Sequence, residues 1–276
     1  MPLVLVTGAT DGIGRQTALD LAAMGADLVL HGRSADKLRS VTAAVEAVPG
    51  RGRVESASAD LADLDSVRAW CGELRRRFPR LDVVVHNAGV YMNSFVRTRQ
   101  GHETTWAVNV LAPLLATHEL LPAVREGAGG GRFVNVSSIA HNRGEPSWAL
   151  ASSEAGFSPY GSYARSKLAL TALTAELGRR LGARPLVFSL HPGVVSTKLL
   201  TEGFGVTGPD SHADGAATSV YLATAPAAEL RAHQGEYFAR SRPAPMSRVA
   251  RDPAVGRALY EQLVRELGLA ALAPEA

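Results

Sequence analysis

The feature that most constrains this chain is a turn with three glycines set between a short β-branched run and a helix-length segment: Thr7-Gly8-Ala9-Thr10-Asp11-Gly12-Ile13-Gly14 follows Leu3-Val4-Leu5-Val6. Glycine permits the tight turn and a close approach of backbone to ligand, and the N–H groups that open the next helix attract anions. Between a first strand and a first helix, the spacing G-x-x-x-G-x-G reads as a phosphate cradle. The same alternation continues along the chain. Strands are predicted at 3–7, 27–31, 53–57, 81–86, 132–137 and 186–191, and helices at 12–24, 35–48, 64–78, 101–124 and 160–181. Most strand runs are continuously apolar, as burial on both faces demands, and each intervening helix is long enough for a right-handed parallel crossover. The expectation is an α/β fold, a single-domain doubly wound (Rossmann) parallel sheet with helices on both faces over 1–276.

Local signals set several boundaries. Ser34 and Asp36 are placed to cap the second helix, Pro79 to stop the third, and the run Gly127, Gly129, Gly130, Gly131 to break the fourth. Arg75-Arg76-Arg77 falls at a helix end, where cations face the negative pole of the helix dipole. Three irregular stretches, 89–100, 139–159 and 199–213, follow strands at the edge where open α/β sheets bind ligands. The latter two are expected to form the substrate loops, and Trp148, Leu150, Phe157, Leu199, Leu200 and Phe204 within them point to an apolar substrate. Beyond Gly235 come a short apolar Tyr237-Phe238, a turn with Pro243 and Pro245, and a final helix over 253–267.

Composition narrows the classes further. Hydrophobic residues make up 46% and charged residues 20%, which excludes a mainly disordered chain. No apolar run approaches the length of a bilayer span, and the first strand begins almost at Met1, leaving no room for a leader or anchor. Cys71 is the single cysteine, so neither an internal disulfide nor a thiolate metal cluster is expected. A net charge of +3 spread along the chain gives no nucleic-acid footprint. These features together predict a cytoplasmic protein with no membrane or nucleic-acid partner and no metal.

Lysine occurs at only three positions among 29 basic residues, Lys37, Lys167 and Lys198. In Tyr163-Ala164-Arg165-Ser166-Lys167 the phenol and an ammonium lie one turn apart on one helix face. A neighbouring cation favours the phenolate, so Lys167 is expected to lower the Tyr163 pKa toward the range of proton exchange with a carbonyl or alcohol. Alone this spacing is common and usually inert. Ser137-Ser138 at the end of the fifth strand and Asn109 in the preceding helix raise its meaning, because all are placed to converge above one sheet edge. At the end of the second strand, Arg33 and Ser34 stand where NAD-selective proteins carry a carboxylate, and they suit a 2′-phosphate. Lys37 is either a further contact or a solvated helix lysine, and Asp60, with Leu61, is either an adenine contact or a helix cap.

Taken in order, Gly8/Gly12/Gly14, Asn87-Ala88-Gly89, Asn109, Val136-Ser137-Ser138, Tyr163/Lys167 and His191-Pro192-Gly193 with Thr197 resemble the short-chain dehydrogenase/reductase family over nearly the whole chain. The resemblance implies that Tyr163 is the general acid/base, that Ser138, with Ser137 as the fallback, polarises the substrate oxygen, that Lys167 binds the nicotinamide ribose, and that Asn109 holds a relay water. With the glycine turn it gives a cofactor set of Gly8, Thr10, Asp11, Gly12, Ile13, Gly14, Arg33, Ser34, Asp60, Leu61, Asn87, Ala88, Gly89, Tyr163, Lys167, Pro192, Gly193, Val195 and Thr197. The run Val134-Asn135-Val136-Ser137-Ser138-Ile139-Ala140-His141, the extended gap before Tyr163 and Gly235-Glu236-Tyr237-Phe238 resemble the retinol dehydrogenase-like branch. Tyr260 departs from it, standing where relatives commonly show Trp. The family also implies a homodimer or homotetramer paired through the helices at 101–124 and 160–181, unless the 139–159 stretch covers that face.

The expectation is therefore an NADP(H)-dependent oxidoreductase moving hydride between the cofactor and a carbonyl or secondary alcohol of an apolar small molecule. Two other classes compete: a dehydratase or epimerase with no net cofactor turnover, and a non-catalytic nucleotide sensor. The complete Asn109, Ser138, Tyr163, Lys167 set argues against the sensor, which has no need of the hydroxyl pair.

Overall fold

A computed structural model describes residues 2–127 and 130–273. Its strands are β1 (Leu3–Val6), β2 (Asp27–Gly32), β3 (Val54–Ser58), β4 (Val83–His86), β5 (Arg132–Val136), β6 (Leu186–His191), β7 (Tyr237–Ala239) and β8 (Arg242–Pro243). They form one sheet in the order β3-β2-β1-β4-β5-β6-β7-β8, parallel throughout except for the antiparallel edge β8. The winding direction reverses between β1 and β4, which opens a crevice at the carboxyl ends of those strands. The helices are α1 (Gly12–Ala23), α2 (Ala35–Glu46), α3 (Leu64–Arg77), α4 (Thr104–Arg125), α5 (Pro159–Leu181), α6 (His212–Thr224) and α7 (Pro253–Glu266), with shorter helical turns between them.

Strand alternation divides the core into two layers. Val4, Val6, Leu28, Leu30, Val83, Val85, Val134 and Phe188 pack with residues of α1, α2 and α6. Their neighbours Leu5, Val29, Val84, Phe133 and Val187 point the other way, into the layer of α3, α4, α5 and α7. Period-two side-chain direction thus uses every residue of the central strands, which is why those runs are apolar without a break. Truncating a side chain as buried as Phe133 costs about 3–5 kcal/mol.

The expected boundaries have visible causes. Ser34 caps α2, while Asp36 lies in its first turn. At the end of α3, Arg75 pairs with Glu119, and Arg77 with Glu55 and Glu73. Gly129 of the predicted helix break lies outside the described residues. Helix α4 starts at Thr104 rather than 101, because Gly101 has φ +89° and the buried Glu103 supplies the cap, accepting from Thr105 N and Trp106 N. Contrary to the sequence expectation, α4 is long and apolar enough to cross a membrane, with a mean hydropathy of 1.4. In the fold 83% of that stretch is buried, so its apolar surface goes to the core.

One helix is absent from the sequence expectation. Helix α6 connects β6 toward β7, and its inner face is mostly small: Gly215, Ala216, Thr218, Ser219, Leu222 and Ala223. Close packing through small residues leaves little hydrophobic periodicity to detect. The missed signal is at its start, where Ser211 and Asp214 form a capping box.

Candidate active site

The turns after β1, β2, β3, β4, β5 and β6 enclose a cleft of about 840 Å³. At one end lies the glycine turn. Gly8 (φ +64°) and Gly12 (φ +52°) hold left-handed backbone, and a Cβ on Gly14 would collide with the Asn87 side chain and the Gly8 carbonyl. Asn87 locks the turn from β4, its Nδ2 donating to Thr7 O at 2.9 Å and Gly8 O at 3.2 Å, while Thr7 Oγ1 accepts from Ala88 N at 3.0 Å. His31 braces it from β2. Its Nδ1 accepts from Gly8 N at 3.3 Å and its Nε2 lies 3.2 Å from Ala59 O, a pairing that places the ring proton on Nε2. Burial holds this imidazole down at about 4, so it is neutral near pH 7.

The braced turn presents the Ile13 and Gly14 N–H groups, which meet no protein acceptor among the described residues, at the positive end of α1. A pyrophosphate fits this cradle. Along the rim, Arg33 is exposed and lines the cleft, with no ion-pair partner among the described residues. Ser34 does not join it in the lining, because its hydroxyl faces Lys37 N at 3.5 Å as the α2 cap. Asp60 is not a helix cap: Asp63 caps α3, while Asp60 Oδ1 accepts from Ala62 N at 3.0 Å, and both Asp60 and Leu61 line the cleft. On the far wall Asp210 Oδ2 accepts from Val194 N at 2.6 Å, and Val195 bridges to Asp210, holding the Pro192 to Thr197 stretch beside Gly12.

At the other end, α5 delivers Tyr163 and Lys167 to the cleft floor. Ser138 and Tyr163 both line the cleft there, Ser138 near enough to influence the phenol, and the Ser138 hydroxyl accepts from Ala140 N at 3.2 Å. Ser137, the fallback, is occupied elsewhere, its Oγ 2.8 Å from Thr171 Oγ1 and donating to Lys167 O at 3.1 Å. The expected lowering of the Tyr163 pKa does not hold in this site. Burial pushes the phenol up to about 12, against the lowering influence of Ser138, and a like effect of nearby Tyr160 adds to it. Lys167 does not outweigh this: its Nζ donates to Val136 O at 2.9 Å rather than to the phenol, and burial pushes the amine down to about 8.

Asn109 sits outside the cleft lining, inside a π-helical turn of α4 over Ala107–Leu111. Its Oδ1 accepts from Val90 N at 2.9 Å, and its Nδ2 donates to Val90 O and to Ser166 Oγ, both at 3.0 Å. The side chain therefore ties the loop after β4 to α5. A point beside Gly89 lies 3.3 Å from Lys167 Nζ and 3.4 Å from Asn109 Oδ1, which leaves these two groups facing a shared space.

The substrate walls differ in part from expectation. Phe204 stands edge-on to Tyr163 at 5.3 Å between ring centres and lies 4.3 Å from Tyr91, with Leu199, Leu200, Ile139 and Tyr160 lining the same space. Trp148, Leu150 and Phe157 do not line it. Trp148 stacks on Trp106 at 6.1 Å and Phe157 meets Phe95 at 5.8 Å. The sequence reading missed Tyr91, Tyr160 and His31, which belong to no motif. Among the described residues no group of three or more His, Cys, Asp or Glu side chains gathers to hold a metal.

A family profile described as short chain dehydrogenase matches residues 2–204. Human retinol dehydrogenase 14 is 34% identical over 289 residues, an alignment covering 94% of this chain and 84% of that protein. A putative daunorubicin C-13 ketoreductase, DnrU, from Streptomyces sp. (strain C5) is 37% identical, covering 96% and 92%. Among solved structures, a putative short chain dehydrogenase from Shigella flexneri complexed with NADP superposes with a TM-score of 0.71 at 27% identity, covering 87% of this chain and 97% of that one.

Proposed function

This chain belongs to the short-chain dehydrogenase family, in its retinol dehydrogenase-like branch, and from that premise we propose that it is an NADP(H)-dependent reductase of a carbonyl group on an apolar small molecule. The observation that carries the reading is the Ser138–Tyr163 hydroxyl pair at the floor of a cleft whose other end is a phosphate turn. The NADP-bound Shigella flexneri relative supports the cofactor, and the unpaired Arg33 at the β2 rim supports its 2′-phosphate form.

When bound, NADPH supplies hydride from the nicotinamide ring. The protein's part is to hold the carbonyl and manage its proton. Ser138 and Tyr163 hydroxyls donate to the carbonyl oxygen, and these fixed donors stabilise the negative charge that builds there. A phenol pushed up to about 12 keeps its proton near pH 7, the state an acid must have for reduction. Lys167, facing the same space as Asn109, holds the ribose side of the cofactor. In a reducing cytosol, which we propose as its location, reduction is the favoured direction.

The test is NADPH consumption by the purified protein against aldehydes, ketones, diketones and quinones, with Tyr163→Phe alongside. Turnover that vanishes in the mutant while NADPH affinity stays within twofold is expected. Retained turnover in Tyr163→Phe would overturn the assignment of the acid.

A further inference from the structure

Asp11 occupies the phosphate turn, where a carboxylate works against an anionic ligand. Its Oδ1 accepts from Gly12 N at 2.8 Å and caps α1, so a full negative charge sits beside the N–H groups that would attract phosphate. Across the cleft, Lys198 Nζ lies 3.0 Å from Asp11 Oδ2. Lys198 follows Thr197, whose methyl packs next to Gly12, and it opens the π-helical turn Leu199–Gly203. Both side chains line the cleft, 61% and 55% exposed, and an ion pair so open adds little folding stability. Partial burial pushes the Asp11 carboxyl up, but the bonds from Lys198 and Gly12, with the charges of Lys198 and Lys37, hold it below its usual value. The carboxylate therefore stays charged near pH 7 and needs a counter-charge whenever a pyrophosphate arrives.

Building on the NADP(H) reading, we propose that Lys198 is a cofactor-positioning residue that acts through Asp11, cancelling the one carboxylate in the phosphate turn so that a dinucleotide pyrophosphate settles on the α1 terminus. Asp11 supplies the cap that shapes the turn, and Lys198 removes the electrostatic cost of using an acid for it. The same bond fastens the start of the 199–203 turn, from which Phe204 reaches Tyr163, to the cofactor side of the cleft.

The proposal predicts rescue, which a direct lysine–phosphate contact does not. NADPH binding is followed by fluorescence titration of the wild type, Lys198→Met, Asp11→Asn and the double variant, at low and high ionic strength, with thermal midpoints confirming that each is folded. Asparagine keeps the cap acceptor and removes the charge. Lys198→Met is expected to weaken NADPH about 5-fold at low salt and less at high salt. Asp11→Asn is expected to bind at least as tightly as wild type, and the double variant within twofold of it. Wild-type affinity in Lys198→Met, or a double variant as weak as Lys198→Met alone, overturns the proposal. Failure of the wild type to bind NADPH overturns the cofactor reading itself, and this inference with it.

Discussion

The ammonium nitrogen of Lys167 lies 5.6 Å from the centre of the Tyr163 ring while donating to a strand carbonyl, so two buried groups of one helix face share a site without a direct bond. Burial sets both. The lysine falls from 10.5 to about 8 on folding, so the unfolded chain holds that proton more firmly. The resulting loss of stability is complete below about 8 and fades as pH rises toward 10.5. Lys167→Met is accordingly expected to raise the unfolding free energy of the ligand-free protein by about 1–3 kcal/mol near pH 7, with the gain shrinking toward pH 10. Turnover should fall about 100-fold or more. Chemical denaturation at both pH values checks the first point, and a pH-independent difference would contradict it.

Cofactor choice rests on Arg33. Its exposed guanidinium lines the cleft and meets no protein carboxylate among the described residues. A charge-assisted bond to a phosphate contributes about 1.5–3 kcal/mol, or roughly 10- to 100-fold in affinity. Arg33→Asp should weaken NADPH by that factor and leave NADH unchanged or tighter. Equal weakening of both nucleotides would remove the phosphate contact from the account.

The parts legible in the sequence are those set by local rules. The strands of the sheet centre were visible because residues such as Val84 and Val85 face opposite layers and both must be apolar. The glycine turn was visible because Gly8, Gly12 and Gly14 have steric reasons to be glycine. What stayed hidden depends on long-range contact. His31 reaches Gly8, Tyr91 reaches Phe204, and α6 packs through small residues, and none of these leaves a periodic mark. The direction of the Tyr163 shift was misread for the same reason. Spacing showed that Lys167 is near, but burial, which outweighs it, is a property of the whole fold.

A hidden link of this kind joins Ser138 to the C-terminal segment. His141 Nδ1 lies 2.7 Å from Ser138 O, and its Nε2 accepts from Ser247 N at 3.1 Å, which makes Nδ1 the protonated nitrogen. Burial lowers the pKa of this ring, so it keeps one proton and bridges the two segments as a neutral group. His141→Phe removes both bonds while filling similar space. A loss of about 10-fold in kcat is expected, with NADPH affinity within twofold of wild type, because the change displaces the Ser138 carbonyl but not the phosphate turn. Equal loss in kcat and cofactor affinity would point instead to general unfolding of the site.

We propose from the way α5 is covered that the chain is a monomer. Pairing through α4 and α5 needs an exposed apolar face, yet Leu168, Ala172, Leu173 and Leu177 of α5 share one core with Leu259, Tyr260, Leu263 and Val264 of α7. Tyr260 anchors that cover in a way that a tryptophan, with no acceptor oxygen, does not: its hydroxyl accepts from Leu272 N at 2.9 Å and lies 3.2 Å from His118 Nε2, under an Arg180 guanidinium 4.1 Å from the ring centre. The chain's own C-terminal helix thus stands where a partner helix would pack. Light scattering should give a monomer of 29.0 kDa. Leu263→Glu, which forces a charge into this contact, should loosen α7 and produce larger species. A wild-type dimer that survives this substitution would mean that pairing uses a different face.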